Sequence, residues 1–277
     1  MPTIMNESAS GAESPSPVSA SRRRRLEHGL TRPLRSAPLP VLRGCGRGLR
    51  VRFGESHLSR TVRTSEEQVE ERLLDEVSSD GRSVVYDVGA NIGWYSLLAA
   101  RKVGDAGMVV AFEPGLQNAG LIARNASTNS LSVTVVPAAV SDRDGWLTFL
   151  DKGSLMSRID KDDDEGQAKR RAGRNERVKG ATPVPVVTLD SWIAQTGTRP
   201  PTLVKIDVEG AEAGVLRGME QTLRTARPTL IIELHGTRDA VLDLLDGFDY
   251  EHRPIEVDVP TREAPWWAHV LAQPRRA

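Results

Sequence analysis

The chain has 277 residues, and its 37 lysines and arginines balance 37 aspartates and glutamates, so the formal net charge is zero. With 39% apolar residues, this composition excludes a wholly basic nucleic-acid binder and a strongly acidic chain, and it suits one α/β domain. The charge is uneven, however. Residues 1–60 hold 11 arginines and four acids, which gives 11 − 4 = +7 and leaves −7 for the other 277 − 60 = 217 residues.

Residues 1–60 are predicted to form a disordered basic tail, because serines, prolines and the arginine run 22–25 accompany little periodic apolar content. Cys45 is the only cysteine, which excludes an intramolecular disulfide and favours a reducing, cytoplasmic location. No apolar run reaches the roughly 18 to 20 residues of a membrane span, so we expect no membrane partner. We expect no signal peptide either, since no apolar stretch follows the arginine run.

Residues 61–277 are predicted to form the domain, in which strands and helices alternate. The predicted elements are a helix from Ser65, strands over 83–88, 108–113, 133–136, 203–207 and 229–234, and helices over 94–103, 117–129 and 211–223. Continuous apolar strands separated by helices indicate a parallel sheet that is covered on both faces. The stretch 266–271 is predicted to add an antiparallel strand at the end.

Two segments interrupt this alternation. The turn-forming residues 141–145 precede an apolar stretch over 146–150, which predicts a hairpin. Residues 151–183 are predicted to form a flexible charged insertion, because an acidic block is followed there by a basic one. The alternative is a lid that becomes ordered over a substrate.

The first candidate site is the glycine-rich segment 87–93, which follows the first predicted sheet strand. Ligands of open α/β sheets bind beyond the carboxyl ends of the strands. Gly89 permits a tight turn, Gly93 permits the close approach of a ligand, and Asn91 tolerates a left-handed backbone. The spacing is not that of a dinucleotide fingerprint, because Asn91 and Trp94 occupy the second and third glycine positions. The segment therefore favours a nucleoside without a diphosphate.

Glu113 is the second candidate, since it ends the next strand and follows Gly93 by 20 residues. A carboxylate in that position can accept hydrogen bonds from both hydroxyls of a ribose.

The third group of candidates lies at the ends of two later strands. Lys205, Asp207 and Glu209 alternate along the chain, which places them on one side of a strand end. Glu233 and His235 end the next strand, and this position makes His235 the preferred candidate for a general base. The alternative for the first three is structural, with Asp207 capping a helix and the others solvated.

Several motifs, taken in order, resemble the FkbM family of S-adenosylmethionine-dependent methyltransferases. They are residues 86–93, 112–114, 138–142, 187–190 and 205–212. The resemblance implies an α/β, class I methyltransferase (Rossmann-like) fold, with a mostly parallel seven-stranded sheet and helices on both faces. It also implies these cofactor contacts: Asp87, Gly89, Ala90, Asn91 and Gly93 around the methionine part, Glu113 on the ribose, and Ala139 and Asp142 beside the adenine.

The activity implied by the resemblance is O-methylation of a hydroxyl on a small molecule or a sugar, which would be the partner. In the mechanism that we expect, Asp207 and Glu209 line the acceptor side, His235 takes the proton, and Lys205 stabilises the developing oxyanion. No metal site is predicted. A magnesium ion held by Asp207 and Glu233 is a less favoured alternative.

Two other classes of function remain open on the sequence. A NAD-dependent oxidoreductase would share the fold and the role of Glu113, although the missing second glycine disfavours it. A non-catalytic interaction protein would act through the arginine-rich tail, but we do not expect a nucleic-acid partner.

Overall fold

The computed structural model describes residues 37–53, 67–151, 158–159 and 180–275. In chain order the strands are β1 (Leu39–Pro40), β2 (Arg50–Val51), β3 (Val84–Val88), β4 (Met108–Phe112), β5 (Thr134–Val136), β6 (Ala139–Val140), β7 (Gly145–Asp151), β8 (Arg158–Ile159), β9 (Gly180–Val187), β10 (Leu203–Ile206), β11 (Thr229–Glu233), β12 (Tyr250–Pro254) and β13 (His269–Pro274). The helices are α1 (Glu67–Glu76), α2 (Trp94–Val103), α3 (Leu116–Thr128), α4 (Leu189–Thr196), α5 (Glu212–Arg217), α6 (Glu220–Thr225) and α7 (Arg238–Gly247), with a 3₁₀ turn at Thr261–Glu263.

The central sheet has seven strands in the order β12-β13-β11-β10-β3-β4-β5, which confirms the predicted sheet. Strands β5, β4, β3, β10 and β11 are parallel, and β13 runs antiparallel between β11 and β12. The antiparallel strand predicted over 266–271 therefore exists, but it begins at His269. The edge strand β12 and helices α4 and α7 were not predicted.

Side chains of the central strands alternate between two apolar layers. In β3, Tyr86 and Val88 pack with residues of α5, α6 and α7, whereas Val85 packs with residues of α1 and α2. All five residues of β3 are buried. The sheet is thus covered on both faces, as continuous apolar strands require.

A second sheet has the order β6-β9-β7-β8 and replaces the hairpin that was predicted around residues 141–145. Ala139 and Gly145 both lie opposite Val186 of β9, so β9 separates β6 from β7. The hairpin prediction was wrong because β7 does not pair with β6; it pairs with β8 and with β9, whose paired residues lie 29 to 41 positions further along the chain. Residues 180–183 belong to β9, and most of the predicted insertion lies outside the described residues.

The helix predicted over 211–223 is divided into α5 and α6. The carboxylate of Asp190 accepts hydrogen bonds from the backbone N–H groups of Gln221 (2.8 Å) and Thr222 (2.9 Å), so it caps the start of α6. At the break, a Cβ on Gly218 would lie 2.0 Å from the carbonyl oxygen of Ser141. Close packing against that loop therefore requires glycine.

The structure also differs from the prediction of a disordered tail over residues 1–60. Residues 37–53 form a hairpin in which β1 and β2 pair antiparallel, and Val51 and Phe53 pack against Leu97 and Leu98 of α2. The signal was the alternation of apolar and basic residues over 49–53, which the arginine content obscured. The rest of the tail lies outside the described residues. Within the part of the chain that the structure describes, no helix has the length and apolarity to cross a bilayer.

We expect Gly218→Ala to lower the free energy of unfolding by about 2 kcal/mol, because the new methyl group overlaps the Ser141 carbonyl. Gly247→Ala is the matched control, since Gly247 lies at the end of α7, where a Cβ would meet no described residue within 4 Å apart from its chain neighbours and the backbone of its own helix. That substitution should be neutral or slightly stabilising. Urea unfolding of the two variants provides the measurement, and equal stabilities would contradict the packing argument.

Candidate active site

Except for Ala139 and Asp142, the predicted site residues lie at one edge of the central sheet, where the parallel strands end. In the register of β10 and β3, Lys205 lies opposite Asp87, and β11 runs parallel to β10 on the other side. Because β13 is antiparallel, its first residue, His269, lies opposite Glu233 at the same edge. The topology therefore gathers residues that are far apart in sequence.

The segment after β3 is a tight loop with three left-handed residues. The φ angles are +81° at Gly89, +54° at Asn91 and +85° at Gly93, which confirms the conformation expected for Asn91. A Cβ on Gly89 would lie 1.8 Å from the carbonyl oxygen of Asp207, and one on Gly93 would lie 3.0 Å from the side chain of Ile122. Both glycines are thus required by packing within the protein, and the close approach expected of a ligand at Gly93 is made by Ile122.

Residues next to the loop are largely buried. Ala90 packs with Ala111 and Ile122 beneath the loop. The indole N–H of Trp94 donates to Glu70 of α1 (2.7 Å), so this hydrogen bond ties the Trp94 ring to α1.

The carboxylate of Glu113 accepts a hydrogen bond from the loop. Its two oxygens accept hydrogen bonds from the backbone N–H groups of Asn91 and Gly115, each at 2.8 Å, and the residue is 5% exposed. Burial raises the pKa of Glu113 to about 7, although these hydrogen bonds oppose the shift. A carboxylate has about four acceptor positions, so Glu113 can still accept hydrogen bonds from a ligand.

Asp87 and Lys205 form a buried charged group beneath the loop. The hydroxyl of Ser96 donates to Oδ2 of Asp87, while Oδ1 has no hydrogen-bond partner among the described residues. Burial raises the pKa of Asp87, and Lys205 opposes that shift. Nζ of Lys205 lies 3.0 Å from Oδ2 of Asp207 and 4.4 Å from the ring centre of Tyr95. Lys205 is 1% exposed, which favours a role as buried counter-ion over the predicted role in stabilising an oxyanion.

His235 lies at the centre of a cluster of carboxylates. Its Nδ1 is 3.0 Å from Oε1 of Glu212, and its Nε2 is 3.3 Å from Glu233, 3.7 Å from Glu209 and 3.8 Å from Asp207. Burial lowers the pKa of His235, but the hydrogen bonds to Glu212 and Glu233 outweigh burial and raise it to about 10. His235 therefore holds its proton at neutral pH in this structure.

Glu212 is a site residue to which the sequence reasoning gave no role. It is fully buried, and it also accepts hydrogen bonds from the hydroxyl of Thr237 (2.6 Å) and the N–H of Gly210 (2.8 Å). Burial alone would raise the pKa of Glu212, but hydrogen bonds from His235 and Thr237 lower it below its usual value. Glu212 therefore stays ionised and fixes the orientation of the imidazole ring.

Glu209 reaches the cluster through an unusual backbone. Its φ angle is +51° and that of Gly210 is +98°, so two consecutive residues are left-handed. A non-glycine residue in this region costs about 1 to 2 kcal/mol. This turn connects β10 to α5 and brings Glu209 toward His235.

His269 and Glu256 complete the cluster and were missed, because no local pattern marks them. Nε2 of His269 lies 3.3 Å from Oε2 of Glu233, and its Nδ1 contacts Glu256. Burial lowers the pKa of His269, but hydrogen bonds to Glu233 and Glu256 raise it to about 9. On the other side of Glu233, donor atoms of Asp207, Glu233 and His235 lie within 4.8 Å of one another, so these three side chains could hold a metal ion.

Ala139 and Asp142 belong to the second sheet and the loop beside it. Ala139 is buried against Phe149, and Phe149 lies 3.4 Å from the Cβ position of Gly115, next to Glu113. Oδ2 of Asp142 lies 3.5 Å from Nε of Arg217 on α5. A cavity of about 340 Å³ adjoins these residues, lined by residues 141–147, Val186, Gly214 and Arg217.

Two tryptophans lie beside the cluster. Trp266 and Trp267 are 63% and 43% exposed, so they do not pack in the core. The carbonyl of Trp266 accepts a hydrogen bond from the N–H of Gly236 (3.3 Å), which places this turn next to His235.

A mostly parallel sheet of this strand order, with one antiparallel strand beside β11 and a glycine loop after β3, is that of a class I methyltransferase. The sequence agrees with this class, since a family model described as the Methyltransferase FkbM domain matches residues 87–252. The chain belongs to the FkbM methyltransferase family. This assignment favours S-adenosylmethionine as the cofactor and disfavours the NAD-dependent alternative.

Two relatives have named activities. The chain is 26% identical over 174 residues to the hexuronic acid methyltransferase AglP of Haloferax volcanii, which covers 63% of this chain and 64% of AglP. It is 30% identical over 192 residues to the 31-O-demethyl-FK506 methyltransferase FkbM of Streptomyces tacrolimicus, which covers 60% of this chain and 72% of the relative. The alignment thus spans just under two thirds of AglP.

Among solved structures, the methyltransferase FkbM of Methylobacillus flagellatus KT is similar to this chain. The two are 18% identical with a TM-score of 0.45, and the match covers 69% of this chain and 44% of the other.

Proposed function

We propose that the protein transfers a methyl group from S-adenosylmethionine to a hydroxyl of a small molecule or a sugar. The observation that carries this proposal is the histidine at the carboxyl edge of the sheet, oriented by the buried Glu212 and facing Asp207 and Glu209. A hydroxyl needs a proton acceptor when it attacks, and this cluster provides one. The names of the two relatives support a small, hydroxylated acceptor.

The cofactor side of the site is proposed to consist of Asp87, the loop 89–93 and Glu113. Two features fit S-adenosylmethionine: the unpartnered, buried oxygen of Asp87 and the acceptor positions that remain on Glu113. Ala139 and Asp142 are proposed to flank the adenine, and the contact from Phe149 to the Glu113 region supports this. When bound, S-adenosylmethionine supplies a methyl group that is already activated by its sulfonium.

The acceptor side is proposed to be lined by Asp207 and Glu209, with Trp266 and Trp267 at the rim. The exposed rings offer flat apolar surfaces to an acceptor. The carboxylates around His235 would repel a negatively charged group of the acceptor that lies next to the reacting hydroxyl. We therefore expect the acceptor to be neutral or cationic close to the methylated oxygen.

In the proposed mechanism, His235 takes the proton of the acceptor hydroxyl at Nε2. Glu212 accepts from Nδ1–H, so it holds the ring and stabilises the imidazolium that results. The alternative is a divalent cation on Asp207, Glu233 and His235, which would lower the pKa of the hydroxyl. A donor set that includes an imidazole suits manganese or another transition metal better than magnesium.

The proposed reaction is tested with S-adenosylmethionine whose methyl carbon is carbon-13. The protein is incubated with neutral sugars, hexuronic acids and a small-molecule extract of the source organism. We expect label in a product whose methyl carbon is bonded to oxygen, by mass spectrometry and NMR spectroscopy. Label on nitrogen, carbon or a macromolecule would refute O-methylation of a small molecule, and a product formed only from a hexuronic acid would refute the charge preference.

We expect Glu113→Gln to weaken the binding of S-adenosylhomocysteine by about tenfold or more, because hydrogen bonds to a charged acceptor are lost. The pKa of Glu113 is about 7, and the carboxylate form accepts the ribose hydroxyls. Wild-type affinity should therefore rise as the pH rises through about 7 and then level off, and the variant should lack this step. Isothermal titration calorimetry from pH 5.5 to 8.5 measures both, with Glu251→Gln on the distant strand β12 as control.

With the acceptor found, we expect His235→Gln to lower kcat by about 10²-fold or more, since a general base is lost. Binding of S-adenosylhomocysteine should change less than twofold. Because His235 must lose its proton first and its pKa is about 10, wild-type kcat should rise with pH toward that value. His252→Gln is the control, as His252 also pairs with a carboxylate, that of Asp246 (3.2 Å), outside the site.

The same assay distinguishes the divalent-cation mechanism from the mechanism in which His235 is the base. If kcat falls after treatment with EDTA and is restored by manganese or magnesium, the base mechanism is wrong and the cation mechanism replaces it. A rate that EDTA leaves unchanged excludes the cation.

A further inference from the structure

The N-terminal hairpin, residues 37–53, precedes the region that matches the FkbM family and is attached to α3 in an unusual way. Asn125 of α3 and Asn129, the residue that follows α3, pair with backbone groups of the hairpin. Asn129 accepts from the N–H of Arg50 (2.8 Å) and donates to its carbonyl (2.8 Å). Asn125 accepts from the N–H of Arg52 (2.8 Å) and donates to its carbonyl (3.1 Å).

These four hydrogen bonds can form together because four residues of a helix and two residues of a strand span nearly the same distance. Four residues along a helix rise about 6 Å, and two residues along a strand rise about 6.6 Å. Asn125 and Asn129 are therefore spaced like Arg50 and Arg52. Each side-chain amide presents a carbonyl acceptor and an N–H donor to the hairpin, as a peptide group does, and it keeps a second N–H for another partner. The two asparagines thus take the place of a neighbouring strand for the edge of the hairpin.

Asn125 differs from Asn129 in the partner of its third hydrogen bond, since Nδ2 of Asn129 donates to the carbonyl of Asn125 (2.8 Å). Asn125 is fully buried, and its Nδ2 also donates to the carbonyl of Ile92 (3.2 Å), in the middle of the glycine loop. Ile92 lies between the left-handed residues Asn91 and Gly93, and its side chain packs in the same apolar cluster as the hairpin residue Val51. The amide of Asn125 therefore joins the hairpin to this loop.

Hydrogen bonds of Asn91, the neighbour of Ile92, connect the loop to the proposed ribose site. The N–H of Asn91 donates to Glu113 (2.8 Å), and the side chain of Asn91 accepts from Asn118 (3.2 Å). A shift of Ile92 would therefore displace the N–H that holds Glu113. The N–H of Gly93 donates to the carbonyl of Ala90 (2.7 Å) and closes the turn around Ile92, and the amide of Asn125 ties this turn to the hairpin.

We propose that Asn125 is a positioning residue for the cofactor and that the hairpin is part of the cofactor site. Through Asn125, the backbone of Arg52 holds the carbonyl of Ile92 and keeps the loop 89–93 in its binding conformation. This inference rests on the proposed cofactor site, and it adds an element that precedes the family domain in sequence.

The test measures binding of S-adenosylhomocysteine to the full-length chain by isothermal titration calorimetry at 10 °C. Asn125→Asp keeps the acceptor for the Arg52 N–H and removes both donors, and Asn125→Leu removes all three contacts. We expect each to raise the Kd about tenfold, because the Ile92 carbonyl loses its partner. Asn129→Leu is the matched control, since it removes the equivalent contacts to Arg50 and a hydrogen bond to the carbonyl of Asn125, but no contact to the loop 89–93. Its Kd should change less than twofold.

Unfolding in urea shows which variants are folded at the temperature of the assay, so that lost stability is not taken for lost binding. Folded Asn125→Asp protein with a wild-type Kd would overturn the proposal, as would an equal loss of affinity in Asn129→Leu. Amide hydrogen exchange over 89–93 should be faster in the Asn125 variants alone. Glu113→Gln separates the two hypotheses: if it leaves binding unchanged, the proposed ribose site is wrong, whatever the Asn125 variants do.

Discussion

The site depends on the charge interactions of the buried Lys205 ammonium group with two aspartates. The ammonium group is buried between Asp87 at the end of β3 and Asp207 at the end of β10, where burial raises the pKa of Asp87 and the lysine opposes that shift. Without this cation, two carboxylates on neighbouring strands would repel each other in a medium that screens charge poorly. Asp87 belongs to the cofactor side and Asp207 to the acceptor side, so one buried charge maintains both. The backbone gives a second link, because the carbonyl of Asp207 packs directly on Gly89.

On the acceptor side, protonated imidazoles balance the charges of several carboxylates, as Lys205 does for the two aspartates. The carboxylates around His235 and His269 raise the pKa of both imidazoles, and Glu233 lies between the two rings. Each ring has a second carboxylate on its other nitrogen, Glu212 for His235 and Glu256 for His269. This arrangement keeps an acid-rich pocket from excess negative charge and holds the rings in fixed orientations.

The sequence was sufficient for the parallel sheet, the glycine loop and the strand-end residues, because these follow from local periodicity and from the rule that strand ends meet at one edge. The roles of Glu212, Glu256 and His269 could not be predicted, since they depend on the antiparallel register of β13 and on the turn at Gly210. The break between α5 and α6 depends on Asp190, 30 residues earlier. The hairpin was missed because the serines, prolines and arginine run of the tail were taken to represent all of residues 1–60, although apolar residues alternate with arginines over 49–53.

The burial of Val51 and Phe53 against α2 has a practical consequence for producing this protein. A chain shortened to the predicted domain boundary at residue 61 would uncover Leu97 and Leu98, which the hairpin now shields from water. It would also leave the amides of Asn125 and Asn129 without their backbone partners. Such a chain would retain every motif of the family domain, yet it would expose a new apolar surface on the outer face of α2 and would tend to aggregate.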